Sequence, residues 1–220
     1  MRGVFDIVGP LMIGPSSSHT AGAVRLGLMA GKILGERAVK AGIQLHGSFA
    51  RTGRGHGTDK ALLAGIMGFL PDDERIRDAQ ALALQQGLEY SFQTVDFGDV
   101  HPNTAMLHLV GVSGRVVSVG GASIGGGSIL ITKINGYAVE LTGEYPALLV
   151  LHRDRPGVIL QVAGILARRG LNVAFMRVSR QARGQESLMI LEMDEPLPAA
   201  VVDECCSYAD IEQAMAIPAI

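Results

Sequence analysis

The chain has no tryptophan, only two cysteines and few aromatic residues among its 220 positions. Scarce aromatics leave no stacking platform for nucleobases, and a net charge of −2 without a basic block argues against nucleic acid as a partner. No apolar run is long enough to span a bilayer, so no membrane is expected. The N-terminus shows no basic segment leading into a long apolar one, which makes the cytoplasm the expected compartment. Cys205 and Cys206 are neighbours, a spacing at which disulfide geometry is rarely met. Two adjacent thiols also cannot complete a zinc or iron–sulfur ligand set. They read as two buried thiols on a helix.

Apolar residues, by contrast, make up 48% of the sequence and charged ones 18%, which predicts a substantial core and little disorder. Glycine is abundant, with 29 residues clustered near presumed turns. The most informative stretch is Gly14-Pro15-Ser16-Ser17-Ser18-His19-Thr20. Hydroxyl side chains ahead of a helical run cap free N–H groups, and those N–H groups with the helix dipole attract a carboxylate or phosphate. His19 adds a group that titrates near neutrality. The stretch therefore reads either as a helix cap or as a binding site.

Helical spacing is expected over 21–34, where Gly27 and Gly31 form a small-residue strip suited to close packing. Residues 43–50 are strand-compatible. Residues 51–57 read as a flexible, glycine-rich loop leading to a helix over 61–70 with Thr58 at its cap. The loop lacks the Gly-Lys-Ser/Thr core of a P-loop and the spacing of a dinucleotide fingerprint. A helical segment over 72–87 and a strand over 90–96 come next. A meander then runs over 105–143, with a glycine loop at 120–127 and a type I′ hairpin signal at Asn135-Gly136. Domain boundaries are expected at 1–145 and 146–220. The second part alternates as β-α-β-β-α-β, which predicts four antiparallel strands with two helices on one face. The fold class is α+β.

The second part resembles an ACT domain, on its element order, on His152-Arg153-Asp154-Arg155-Pro156-Gly157-Val158 and on Gly170-Leu171-Asn172-Val173. That resemblance implies side-by-side self-association and an amino-acid effector site flanked by Asp154, Pro156, Gly157, Val158 and Asn172. The first part resembles the β subunit of the two-subunit bacterial, iron–sulfur-dependent L-serine dehydratase family. The match rests on the serine-histidine stretch together with Gly53-x-Gly55-His56-Gly57-Thr58-Asp59-Lys60, His101-Pro102-Asn103 and the 120–127 loop. A related, non-catalytic effector-binding domain of some D-3-phosphoglycerate dehydrogenases is the alternative.

The resemblance implies deamination of L-serine to pyruvate and ammonia, with a [4Fe-4S] cluster in place of pyridoxal phosphate. A cluster with one open iron needs three thiolates, more than this chain holds. The cluster is therefore expected on the cysteines of a partner α subunit, in a heterodimer inactive without it. A histidine suits removal of the α-proton. His56 is the expected base, with His19 as the alternative; the helix dipole is expected to depress the His19 pKa. Ser16, Ser17, Ser18, Thr20, Gly55, Thr58, Lys60 and Asn103 are expected around the substrate, with His101 a weaker candidate. His46, His108 and His152 read as core or surface residues.

Overall fold

The computed structural model describes residues 11–220, so most of the lead-in over 1–13 lies outside the described residues. The chain divides into two compact units, one ending at Gly136 and the other running Tyr137–Ile220.

The first unit is built on a helix apolar almost all round. Helix α1 (Gly22–Leu34) buries Val24, Leu26, Met29, Ile33 and Leu34, which places it between other layers rather than on the surface. It packs against helix α3 (Thr58–Ile66) on one side and the sheet on the other. The crossing with α3 is close because both helices present glycine. A Cβ on Gly65 would collide with the Val24 carbonyl and come within 2.6 Å of Leu28 N. One on Gly27 would collide with the Leu62 carbonyl, and one on Gly31 would sit 3.2 Å from the Ile66 oxygen. The small-residue strip thus serves backbone-to-backbone packing, as expected.

Five strands form the sheet of this unit: β1 (Ala38–Leu45), β2 (Glu89–Thr94), β3 (Thr104–Gly111), β4 (Val116–Gly125) and β5 (Ser128–Ile134), while β6 (Tyr137–Leu141) opens the second unit. The order of these five is β2-β1-β3-β4-β5, with β1 parallel to β2 and antiparallel to β3. Asn135 and Gly136 both take positive φ, 48° and 85°, as a type I′ turn requires. The glycine loop expected at 120–127 is instead mostly strand. β4 runs to Gly125, leaving only a tight turn. Its glycines make room: a Cβ on Gly121 would lie 3.0 Å from Leu26 Cδ2 on α1, and one on Gly120 would lie 2.7 Å from Met106 Cε.

A second correction concerns residues 43–57. β1 ends at Leu45, and Gly47–His56 forms helix α2, where strand was expected up to residue 50 and a flexible loop from residue 51. Gly53 and Gly55 lower helix propensity, but tertiary contacts override them. Phe49 is fully buried, and the N–H groups of Ser48 and Phe49 donate to the Pro102 carbonyl at 2.7 and 3.4 Å. Thr58 is the first residue of α3 rather than its cap; Gly57, at φ 70°, holds the cap position. The segment over 72–87 is a 3-10 turn, Glu74–Asp78, followed by helix α4 (Ala79–Gln85).

The second unit has strands β7 (Ala147–Arg153), β8 (Val173–Arg180), β9 (Glu186–Met193) and β10 (Ile211–Ile217) in the order β10-β7-β9-β8, all neighbours antiparallel. Helices α5 (Val158–Arg168) and α6 (Ala199–Cys206) cover one face, burying Val162, Ile165 and Val201 against Val150, Met189 and Leu191. This is the expected β-α-β-β-α-β unit, and the mixed α+β class holds. Cys205 belongs to that core, but Cys206 is exposed, correcting the expectation of two buried thiols. Successive helix positions point about 100° apart, so one neighbour faces in and the other out.

Candidate active site

The site begins where the chain enters α1. Ser16 is extended (φ −145°, ψ 125°), and its Oγ accepts from the His19 N–H at 3.3 Å. The cap predicted from the three serines is therefore present. The turn beyond it, Ser17–Ala21, is a π-type turn, in which Gly22 N donates to the Ser17 carbonyl. Such widened turns cost helix regularity and recur at functional sites.

From this turn His19 reaches helix α2. Its Nδ1 lies 3.1 Å from Ser18 Oγ and 3.5 Å from Ser16 Oγ. Its Nε2 lies 3.2 Å from Ser48 Oγ and 3.1 Å from Thr52 Oγ1. Phe49 meets the ring edge-on, with centroids 5.3 Å apart. His56, the last residue of α2, stands 5.0 Å from the His19 ring, tilted 36° to it. Nδ1 of His56 lies 3.1 Å from the Thr52 carbonyl oxygen, which can only accept. His56 is therefore assigned as the Nδ1–H tautomer when neutral, with its lone pair on Nε2. No described residue bonds that Nε2 through a hydrogen bond.

Burial pushes the His19 pKa below its ordinary value, the adjacent His56 adds to the fall, and Ser48 opposes it. The expected direction holds, but desolvation rather than the helix dipole is its leading cause.

A cavity of about 480 Å³ opens beside this pair. Gly14, Pro15, Thr20, Gly55, His56 and Lys60 are among its lining residues. Thr20 is buried, and its Oγ1 has no hydrogen-bond partner among the described residues. Lys60 Nζ donates to the Arg77 carbonyl at 2.8 Å, which holds the lysine at the cavity wall.

Not every sequence candidate converges here. Thr58 is fully buried, and its hydroxyl has no described partner. Ser17 contributes its carbonyl to the π turn. Asn103 lies on the turn before β3; its N–H donates to His101 Nδ1 at 3.1 Å and its carbonyl accepts from Ser123 N. The Asn103 Oδ1 is buried without a described partner. The same turn supports α2, because Gly47 (φ 53°) packs so tightly that a Cβ would lie 2.6 Å from the Pro102 oxygen. His46 accepts from Phe97 N at 3.1 Å, His108 lies exposed on β3, and His152 is buried on β7 with Nδ1 bonded to the Arg153 carbonyl at 2.8 Å. Sequence reasoning missed Ser48 and Thr52. Their i, i+4 spacing is a signal only once α2 is known to be a helix.

In the second unit, Asp154 Oδ2 accepts from Arg180 at 2.8 Å and from Gly184 N at 3.0 Å. The Gly184 N–H, then Arg180, hold its carboxyl below the usual range. Pro156 and Gly157 (φ 95°) form the exposed turn into α5. Val158 points into the core, so only its backbone is open to a ligand. Asn172 donates to Asp194 at 2.6 Å.

The chain thus combines a histidine at the entry to one helix, paired with a histidine at the end of another, with a ferredoxin-like unit. Residues 3–133 match the family described as serine dehydratase beta chain, and residues 147–206 match the ACT domain. The chain belongs to the serine dehydratase beta chain family and carries an ACT domain. It is 43% identical over 212 residues to the probable L-serine dehydratase beta chain of Bacillus subtilis, covering 96% of each chain. It is 42% identical over 194 residues to the L-serine dehydratase beta chain of Peptoniphilus asaccharolyticus, covering 88% of this chain and 87% of that one. D-3-phosphoglycerate dehydrogenase of Synechocystis is 28% identical over 199 residues, but those are only 35% of its length. The beta-chain reading is thus supported over the dehydrogenase-module alternative.

The donor chemistry does not fit an iron–sulfur cluster on this chain. Cys205 is buried in the core of the second unit, and Cys206 is exposed beside it. Among the described residues no three His, Cys, Asp or Glu side chains are grouped to hold a metal ion.

Proposed function

We propose that this chain is the β subunit of an L-serine ammonia-lyase, converting L-serine to pyruvate and ammonia together with an α subunit. The [4Fe-4S] cluster belongs to the α subunit's own cysteines. This chain supplies acid–base chemistry and substrate positioning, is inactive alone, and works in the cytoplasm.

The observation that carries the reading is the difference between the two histidines. Both ring nitrogens of His19 are engaged by Ser16, Ser18, Ser48 and Thr52, whereas His56 lines the cavity and its Nε2 has no hydrogen-bond partner among the described residues. His56 Nε2 takes the α-proton of serine, and His19 orients the site. Ser16, the Thr20 hydroxyl, the Gly55 backbone and Lys60 face the substrate carboxylate, and Ser18 acts on the substrate's surroundings through His19. Ser17, Thr58 and Asn103 support that wall from behind. Residues 1–145 form the catalytic part and 146–220 the regulatory part, where Asp154, Pro156, Gly157, the Val158 backbone and Asn172 flank an amino-acid effector. Self-association runs through the ACT domain.

Mixed anaerobically with its α partner, the chain is expected to restore pyruvate formation from L-serine. H56A should then lose about 10²–10⁴-fold in turnover while still assembling. Near-normal turnover in an assembled H56A complex would overturn the assignment.

A further inference from the structure

We infer that Thr52 is a positioning residue that fixes opposite tautomers in the two site histidines, so that of their four ring nitrogens only Nε2 of His56 is left without a partner among the described residues. Its consequence for catalysis rests on the proposed role of His56, whereas the tautomers themselves rest on geometry alone.

The assignment follows from counting protons. Thr52 Oγ1 lies 2.9 Å from the Ser48 carbonyl oxygen, which can only accept. The single hydroxyl proton of Thr52 is therefore directed at Ser48, the back-bond to residue i−4 that threonine makes in helices. The same Oγ1 sits 3.1 Å from His19 Nε2 and meets that nitrogen as an acceptor. His19 consequently carries its proton on Nε2, with Ser48 Oγ at 3.2 Å as a second acceptor. Nδ1 of His19 is then a lone pair, occupied by the Ser18 hydroxyl at 3.1 Å.

His56 is governed by the other polar group of the same residue. Its Nδ1 donates to the Thr52 carbonyl oxygen at 3.1 Å. One residue thus sets His19 through its side chain and His56 through its main chain. The two effects can be separated by changing the hydroxyl alone. Burial disfavours a charged His19, so the network holds that ring neutral in the orientation where it flanks His56 at 5.0 Å.

The test is long-range ¹H–¹⁵N correlation of the histidine rings in the full isolated chain, followed by kinetics of the complex with the α partner. Wild type should show His19 as Nε2–H and His56 as Nδ1–H. T52V should collapse the separation between the two His19 nitrogen shifts while leaving His56 as Nδ1–H, and T52S should restore the wild-type pattern. In the complex, T52V should lower kcat about tenfold with KM held, as outer partners of positioned imidazoles do elsewhere, and T52S should recover it. A proton on Nε2 of His56 in wild type overturns the inference, as does an unchanged His19 tautomer or an unchanged kcat in T52V. The wild-type spectrum decides the tautomers even if T52V does not fold. If those tautomers are found but H56A retains turnover, the catalytic reading fails and the tautomer assignment stands.

Discussion

At the scale of single residues, burial acts on the charge of His19. The His19 pKa is lowered, so just below about pH 6.5 the unfolded chain binds a proton that folded His19 refuses. Stability should therefore fall as pH drops through that window and level off below the folded value. Urea midpoints between about pH 7.5 and about pH 5.5 check this, and H19Q should flatten that part of the profile. Asp154 acts with the same sign in a lower pH window: its depressed pKa gives stability that is present above the ordinary aspartate value and lost as pH falls through the folded one. The thiols divide more simply. Burial pushes Cys205 up to about 11, whereas Cys206 is exposed. Neutral-pH alkylation followed by peptide mass mapping should label Cys206 and leave Cys205 free until the chain unfolds. Much of this scale was legible in the sequence. Ser16 as a cap and His19 beside it follow from local chemistry. Ser48 and Thr52 were not legible, because their role depends on a tertiary contact that turns a glycine-rich segment into a helix.

Among the elements, the α1–α3 crossing is a seam of backbone-to-backbone packing. Alanine is the better helix former by about 1 kcal/mol, yet G65A should destabilise the chain. Its methyl group meets the Val24 carbonyl, and overpacking of this kind costs roughly 1–3 kcal/mol. Denaturant midpoints for G65A against G55A give the comparison, since a Cβ at Gly55 meets nothing within 4 Å. A G65A midpoint at or above wild type would sink the close-packing account. The Gly27 and Gly31 spacing announced this seam in the sequence. The glycines of β4 did not announce theirs, because glycine marks a loop and a crowded strand alike. Only the positions of Leu26 and Met106 distinguish the two.

For the whole molecule, the second unit was the more legible part. Its strand and helix order, its turn at Pro156-Gly157 and its apolar periodicity all agree with one fold. Replacing Asn172 with alanine removes its bond to Asp194 and should change either the response to an amino-acid effector or subunit association. Calorimetry and sedimentation of the complex check this, and wild-type behaviour in both would count against a regulatory site there. The first unit holds a subtler long-range connection in the seat of α2 on the Pro102 carbonyl. Ten residues of helix span about 15 Å, with the sheet-borne turn at one end and His56 at the other. The helix is a lever, and Gly47 is its fulcrum. A tilt of about 5° at the fulcrum carries His56 by about 1.3 Å, a misplacement that can cost on the order of 100-fold in rate. The placement of His56 is thus set some 15 Å away, by a glycine at the far end of α2.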